Sequence, residues 1–166
     1  RIHTERTEIF PLVRDKTHPN LSNLISDSQA TKSHIDSWIA KSPHLSEITI
    51  ANTISKHTPS THNIMISNSL PIRLMDLSCA TQNTAASIYA NRGASGIDGI
   101  LATTLGIAEE SKRPTTLLIG DLAFLYDMSS LIMIKRSKIP ITIILINNNG
   151  GAIFSVLPIK KALEFD

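Results

Sequence analysis

Asp121 and Asn148 each sit in a short polar turn, Gly120-Asp121 and Asn147-Asn148-Asn149-Gly150-Gly151. One carboxylate, one amide oxygen and a backbone carbonyl such as that of Gly150 make a sparse, all-oxygen donor set. Magnesium suits such a set when phosphates and water complete its octahedron, whereas a dedicated calcium cage draws on more carboxylates. Gly150-Gly151 leading into a helix start adds free backbone N–H groups for a diphosphate. A third turn, Asn91-Arg92-Gly93-Ala94-Ser95-Gly96-Ile97-Asp98-Gly99, completes the set. All seven glycines lie between positions 93 and 151, and six fall in these three turns. Glycine goes where a backbone takes positive φ or lets a ligand come close, so three loops are expected to converge on one polar ligand. The structural alternative for Asp121 is a helix N-cap.

The elements that must bring these turns together follow from periodicity. Asn63–Ile66, Ser87–Ala90, Thr115–Ile119 and Ile141–Ile146 read as strands, each ending in polar or glycine-rich residues. Between them, Pro71 to Leu77, Ile97 to Glu110 and Tyr126 to Lys138 read as helices, the last with Leu131, Ile134 and Met128 facing inward. Ala152 to Leu157 begins one more. Strands alternating with helices imply an α/β fold with a parallel sheet, right-handed crossovers and helices on both faces. The near-continuous apolar runs of the last two strands suit burial on both sides. In such sheets ligands bind beyond the carboxyl ends of the strands, which is where all the polar turns fall. Residues 1–61 hold no glycine and four prolines. They read as a linker running into one or two helices, with Ile35, Trp38 and Ile39 on one face and Ile48, Ala51 and Ile54 on another.

Composition narrows the classes. At 166 residues and 42% apolar content the chain can bury one ordinary core. A net charge of +2, without a basic stripe, argues against nucleic-acid or membrane-surface binding. Lys135, Arg136 and Lys138 close a predicted helix, where cations complement the dipole. One cysteine, Cys79, suits a reducing compartment. The six histidines lack zinc spacing, and no run is long enough for a membrane span.

Taken together, Gly120-Asp121 and Asn147-Asn148 resemble the diphosphate and magnesium motif of thiamine diphosphate enzymes. Among these, Asn91 to Gly99, Gly120 to Asp127, Asn147 to Pro158 and Asn68-Ser69-Leu70-Pro71-Ile72-Arg73 are similar to segments of the 2-succinyl-5-enolpyruvyl-6-hydroxy-3-cyclohexene-1-carboxylate synthase family of menaquinone and phylloquinone biosynthesis. The resemblance covers roughly residues 63 to 158. It implies a cofactor-binding domain of pyrophosphate-domain type over residues 62–166, incomplete at its C-terminus, after a linker and tail of a central domain over 1–61. It implies thiamine diphosphate with magnesium, or manganese in its place, and an enzyme joining isochorismate to 2-oxoglutarate with loss of carbon dioxide.

By motif position, Asp121 and Asn148 would bind the metal through their side chains and Gly150 through its carbonyl. Ser69, Ser95, Gly96, Gly120, Leu122, Gly151 and Ala152 would contact the cofactor, and Ile97 would be the apolar wedge that bends it; an ordinary first-turn core residue is the alternative. Arg73 and Arg92 suit the carboxylates of two acidic substrates, with structural ion pairs as the alternative, and Ile153, Phe154 and Leu157 would form an apolar wall. The resemblance also implies a homo-oligomer with its active site between subunits, in the cytoplasm or plastid stroma. No segment here is similar to the N-terminal domain that carries the family's activating glutamate, so the chain alone is expected to be inactive. A non-catalytic remnant that binds the cofactor is the alternative. A generic nucleotide-binding domain lacks support, because neither G-x-G-x-x-G after the first strand nor a P-loop is present.

Overall fold

The computed structural model describes residues 21–79 and 86–156. The chain forms two units, divided between Ala40 and Lys41. The first is represented by α1 (Leu21–Lys41), a helix longer than its weak periodicity suggests. It carries an i,i+4 pair, Lys32 Nζ to Asp36 Oδ2 at 3.3 Å, and its Trp38 is exposed.

The second unit runs α2 (Glu47–His57), β1 (Asn63–Ile66), α3 (Leu70–Ser78), β2 (Ser87–Ala90), α4 (Ile100–Ser111), β3 (Thr115–Gly120), α5 (Asp121–Tyr126), a 3-10 turn (Met128–Ser130), α6 (Leu131–Ile134), β4 (Ile141–Ile146) and a second 3-10 turn (Ala152–Val156). The four strands form one sheet in the order β2-β1-β3-β4. All pairings are parallel, as the alternation of strands and helices predicts.

Side-chain alternation along the strands divides the core between two faces. Ile64, Ile66, Leu118 and Ile146 pack with Ala51 and Ile54 of α2 and Met75 of α3. Met65, Leu117 and Ile119 point the other way, onto Ile100 and Leu101 of α4 and Ala123 of α5. Each fully buried Ile, Leu or Met side chain contributes about 1.5–3 kcal/mol. The two central strands are therefore secured by both layers. The outer strand β4 also packs on both faces, Ile144 and Ile146 on the first cluster and Ile143 on the second, while Thr142 is exposed and Leu145 44% exposed.

Two helices depart from the sequence reading. The helix expected from Ile97 starts at Ile100, because Gly99 takes φ +66° immediately before it. A glycine N-cap has no side chain to satisfy the helix's first N–H groups. A distant carboxylate does so instead, the Ala102 amide donating to Asp127 Oδ2 at 2.9 Å. The same Asp127 explains why Tyr126 to Lys138 is not one helix. Its other oxygen accepts from Ser130 Oγ at 2.6 Å, and its backbone at φ −125° closes α5. The chain then passes through the 3-10 turn, and Met128 ends up half exposed rather than inward. Further along, Ser137 Oγ donates to Glu109 Oε1 at 2.6 Å. That hydrogen bond first, and then Lys112, holds the Glu109 carboxyl below the usual carboxylate range.

Candidate functional site

The strand order places the site. From β1 the chain moves outward to β2, then returns across β1 to β3 and continues to β4. The winding therefore reverses between β1 and β3, and the crevice outside such a reversal is where open α/β sheets receive ligands. The register keeps the strand ends nearly level, with Ile66 opposite Ala90 and Leu118, and Gly120 opposite Ile146. The loops after all four strands consequently emerge on one edge.

Side chains stitch these loops together. After β1, the buried Asn68 donates from Nδ2 to the Gly96 carbonyl at 2.6 Å and accepts from Arg92 Nη1 at 3.2 Å, joining the first loop to the second. After β3, Asp121 is the first residue of α5, with Gly120 as the N-cap. Its Oδ1 accepts from the Leu122 amide and its Oδ2 from the Gly150 amide, both at 2.8 Å, joining the third loop to the fourth. After β4, Asn149, Gly150 and Gly151 all have positive φ, at +62°, +87° and +61°. Three left-handed residues in a row need the two glycines, and asparagine tolerates the region better than most side chains. Asn148 donates from Nδ2 to Glu47 Oε1 at 2.9 Å. Its Oδ1 is buried and has no partner.

Two cavities share this edge. The first, about 170 Å³, is lined by Ser69, Ile97, Gly120, Asp121, Leu122, Asn148, Gly151 and Ala152, among others. The second, about 630 Å³, is lined by Arg73, Arg92, Ser95, Ile72 and Asp76. Asn68, Ser69, Ile97, Ile153 and Phe154 line both, so they form a common wall. Residues read from three sequence motifs are thus gathered at one place. Gly150 lines a neighbouring groove with Leu125, Leu145 and Asn147. Gly96 lines neither cavity, yet a Cβ there would collide with the Asp98 carboxylate. Leu157 lies outside the described residues. Neither Arg73 nor Arg92 forms an ion pair with a described residue.

Ser69 takes φ +72° and ψ −129° at the start of α3, and its hydroxyl makes no capping hydrogen bond. Such a backbone in a non-glycine residue stores strain, of a kind that clusters at ligand sites. Glu47 and Asp76 support or line the site without having been read as site residues, whereas Asn68 already stood in the segment Asn68 to Arg73 at the end of the first strand. Asp76 follows Arg73 by one helical turn, a spacing that would have placed both on one face. Glu47 gives only the Ser-Glu signature of a helix start.

Residues 77–155 match the family described as thiamine pyrophosphate enzyme, C-terminal TPP binding domain. The chain is 42% identical over 148 residues, 88% of its own length, to a 2-succinyl-5-enolpyruvyl-6-hydroxy-3-cyclohexene-1-carboxylate synthase of Chlorobium phaeobacteroides. It is 47% identical over 122 residues, 74% of its length, to the enzyme of the same name from Psychromonas ingrahamii. Against that of Bacillus velezensis it is 48% identical over 100 residues, 60% of its length. These stretches cover 25%, 21% and 17% of the respective relatives, so the chain spans at most about a quarter of their length.

Proposed function

Because this chain belongs to the thiamine diphosphate enzymes, in the line of the 2-succinyl-5-enolpyruvyl-6-hydroxy-3-cyclohexene-1-carboxylate synthases, we propose that its sheet edge binds thiamine diphosphate and magnesium for such a synthase. The reaction proposed for the whole enzyme is decarboxylation of 2-oxoglutarate and addition of the remaining succinyl unit to isochorismate, towards menaquinone or phylloquinone. In this reading residues 62–166 are the cofactor-binding domain and residues 1–61 the linker and tail of a preceding one. The working enzyme is a homo-oligomer of the cytoplasm or, in a photosynthetic eukaryote, the plastid stroma.

The observation that carries the reading is the smaller cavity, which Asp121 and Asn148 line together with Gly120, Leu122, Gly151 and Ala152, and beside which the Asn148 Oδ1 is left buried without a partner. The donor set fits a hard cation. Each Asp121 oxygen accepts one N–H group, and a carboxylate has about four lone-pair sites, so capacity remains for magnesium or manganese. Asp121, Asn148 and the Gly150 carbonyl would hold the ion. Ser69, Gly120, Leu122, Gly151 and Ala152 would line the diphosphate, with Ser95 and Gly96 beside the cofactor. When bound, thiamine diphosphate supplies the carbanion chemistry by which a 2-oxo acid loses carbon dioxide.

The chain's own residues then bind and orient. Ile97, in the wall common to both cavities, would present an apolar surface to the cofactor, in the wedge role expected of it. Arg73 and Arg92 offer guanidinium groups to the substrate carboxylates across the larger cavity. Arg92 is already oriented by Asn68. Ile153 and Phe154 exclude water from the same wall. The test is calorimetric titration of the chain with thiamine diphosphate and magnesium. Saturable binding is expected for the wild-type chain, with loss in Asp121→Ala and weakening in Asn148→Ala, and none is expected with NAD or ATP. Absence of binding by the wild-type chain overturns the reading.

A further inference from the structure

We propose that Glu47 is a positioning residue, which determines which end of the Asn148 amide faces the metal; the proposal rests on the cofactor site described above. A carboxamide has two ends of similar size and opposite character. Its oxygen can ligate a cation, whereas its NH2 group offers only hydrogens. Rotation by half a turn exchanges them, so a site that uses the oxygen needs some outside contact to choose it.

Glu47 supplies that contact from the first turn of α2. The helix start is fixed by Ser46, whose Oγ accepts from the Thr49 amide at 3.3 Å. The helix is fixed on the sheet by Ala51 and Ile54, buried against Ile64 and Ile66. From this anchored position Glu47 Oε1 stands 2.9 Å from Asn148 Nδ2. An ionised carboxylate only accepts, so the atom facing it is the amide nitrogen, and Oδ1 lies at the other end. That Oδ1 is buried and unpartnered, in a residue that lines the cavity. Asn63 Oδ1 is likewise unpartnered, but Asn63 opens β1 at the opposite edge of the sheet. Hydrogen-bonded partners that hold a ligating side chain in orientation contribute strongly to metal affinity.

The test measures the magnesium midpoint at fixed thiamine diphosphate, and the melting temperature of the ligand-free chain, for Glu47→Ala and Glu47→Gln. Glutamine offers either an oxygen or an NH2 group and so accepts both orientations of the amide; alanine offers neither. Glu47→Ala is expected to weaken the midpoint by about 10–100-fold, and Glu47→Gln to weaken it as well, by less because its hydrogen bond can still form. In an Asn148→Asp background, where both ends are oxygen, Glu47→Ala is expected to weaken binding no further. This comparison also serves if the single alanine variant folds poorly. A merely structural role would lower the ligand-free melting temperature of Glu47→Ala and leave its magnesium midpoint unchanged, which overturns the proposal. A further loss on Glu47→Ala in the Asn148→Asp background overturns it too, since it would point to charge rather than orientation. Failure of the wild-type chain to bind at all would instead refute the cofactor reading, and this proposal with it.

Discussion

At the level of single residues, the site is built from backbone conformations and orphaned atoms that a stability-optimised fold would avoid. Ser69 holds φ +72° although its hydroxyl caps nothing, and strain of this kind costs on the order of 1–3 kcal/mol. Ser69→Gly removes the Cβ penalty and also the hydroxyl, so two opposite effects are expected. The ligand-free chain should gain about 1 kcal/mol in urea unfolding, less the extra entropy of an unfolded glycine. Thiamine diphosphate binding, measured by titration, should weaken. Gly151 shows the converse. With φ +61° and a virtual Cβ 3.2 Å from Phe154 Cδ2, Gly151→Ala is expected to destabilise the chain by about 1 kcal/mol or more, measured in the same way. That Asp121, Asn148 and Gly151 meet at one sheet edge was legible in the sequence, because each stands in a polar turn directly after a strand. Glu47 was not. Its partner lies 101 positions away, and no local pattern encodes a contact made only after the sheet has formed.

At the level of elements, Asp127 does the work of a cap for a helix that has none of its own. Its carboxylate serves the α4 amide of Ala102 and the Ser130 hydroxyl, and the residue is buried to within 8% exposure. Asp127→Ala is expected to cost about 1–3 kcal/mol in denaturant unfolding, as hydrogen bonds to a charged group do. Asp127→Asn keeps one acceptor oxygen and should cost less. A loss below about 0.5 kcal/mol, the range of ordinary surface substitutions, would show that α4 needs no such cap. The four strands were legible because β-branched runs between polar turns leave little choice. The helix after β3 was not. Its apolar spacing continues through Asp127, and only the tertiary demand on that carboxylate ends α5. Ser87–Ala90, equally short, was legible because Asn91-Arg92-Gly93 terminates it.

At the level of the whole molecule, the sheet ends in β2 on one side and β4 on the other among the described residues. Among the described residues, no helix is long and apolar enough to cross a membrane. Yet Leu125, Tyr126, Ile132 and Met133 are each more than half exposed on α5 and α6, and apolar exposure of this kind commonly marks an interaction surface. The homo-oligomer proposed above gives it a use. Sedimentation velocity is expected to show concentration-dependent association, reduced in Leu125→Lys/Ile132→Lys, while each exposed-site change costs about 0.5 kcal/mol or less in stability. A monomer at every concentration would contradict this. Parallel architecture was legible from the alternation of elements; the order β2-β1-β3-β4 was not, since periodicity says nothing of which neighbour a strand chooses. That order has a thermodynamic corollary. Ser69, Ile97, Asp121 and Asn148 come from the ends of four different strands and meet in one small cavity. No partly folded form of the unit can present them all, so a molecule bound there acts as a fastener for the complete sheet. At a hundredfold excess over its dissociation constant it would add about 2.7 kcal/mol against unfolding, making occupancy and foldedness a single measurable quantity.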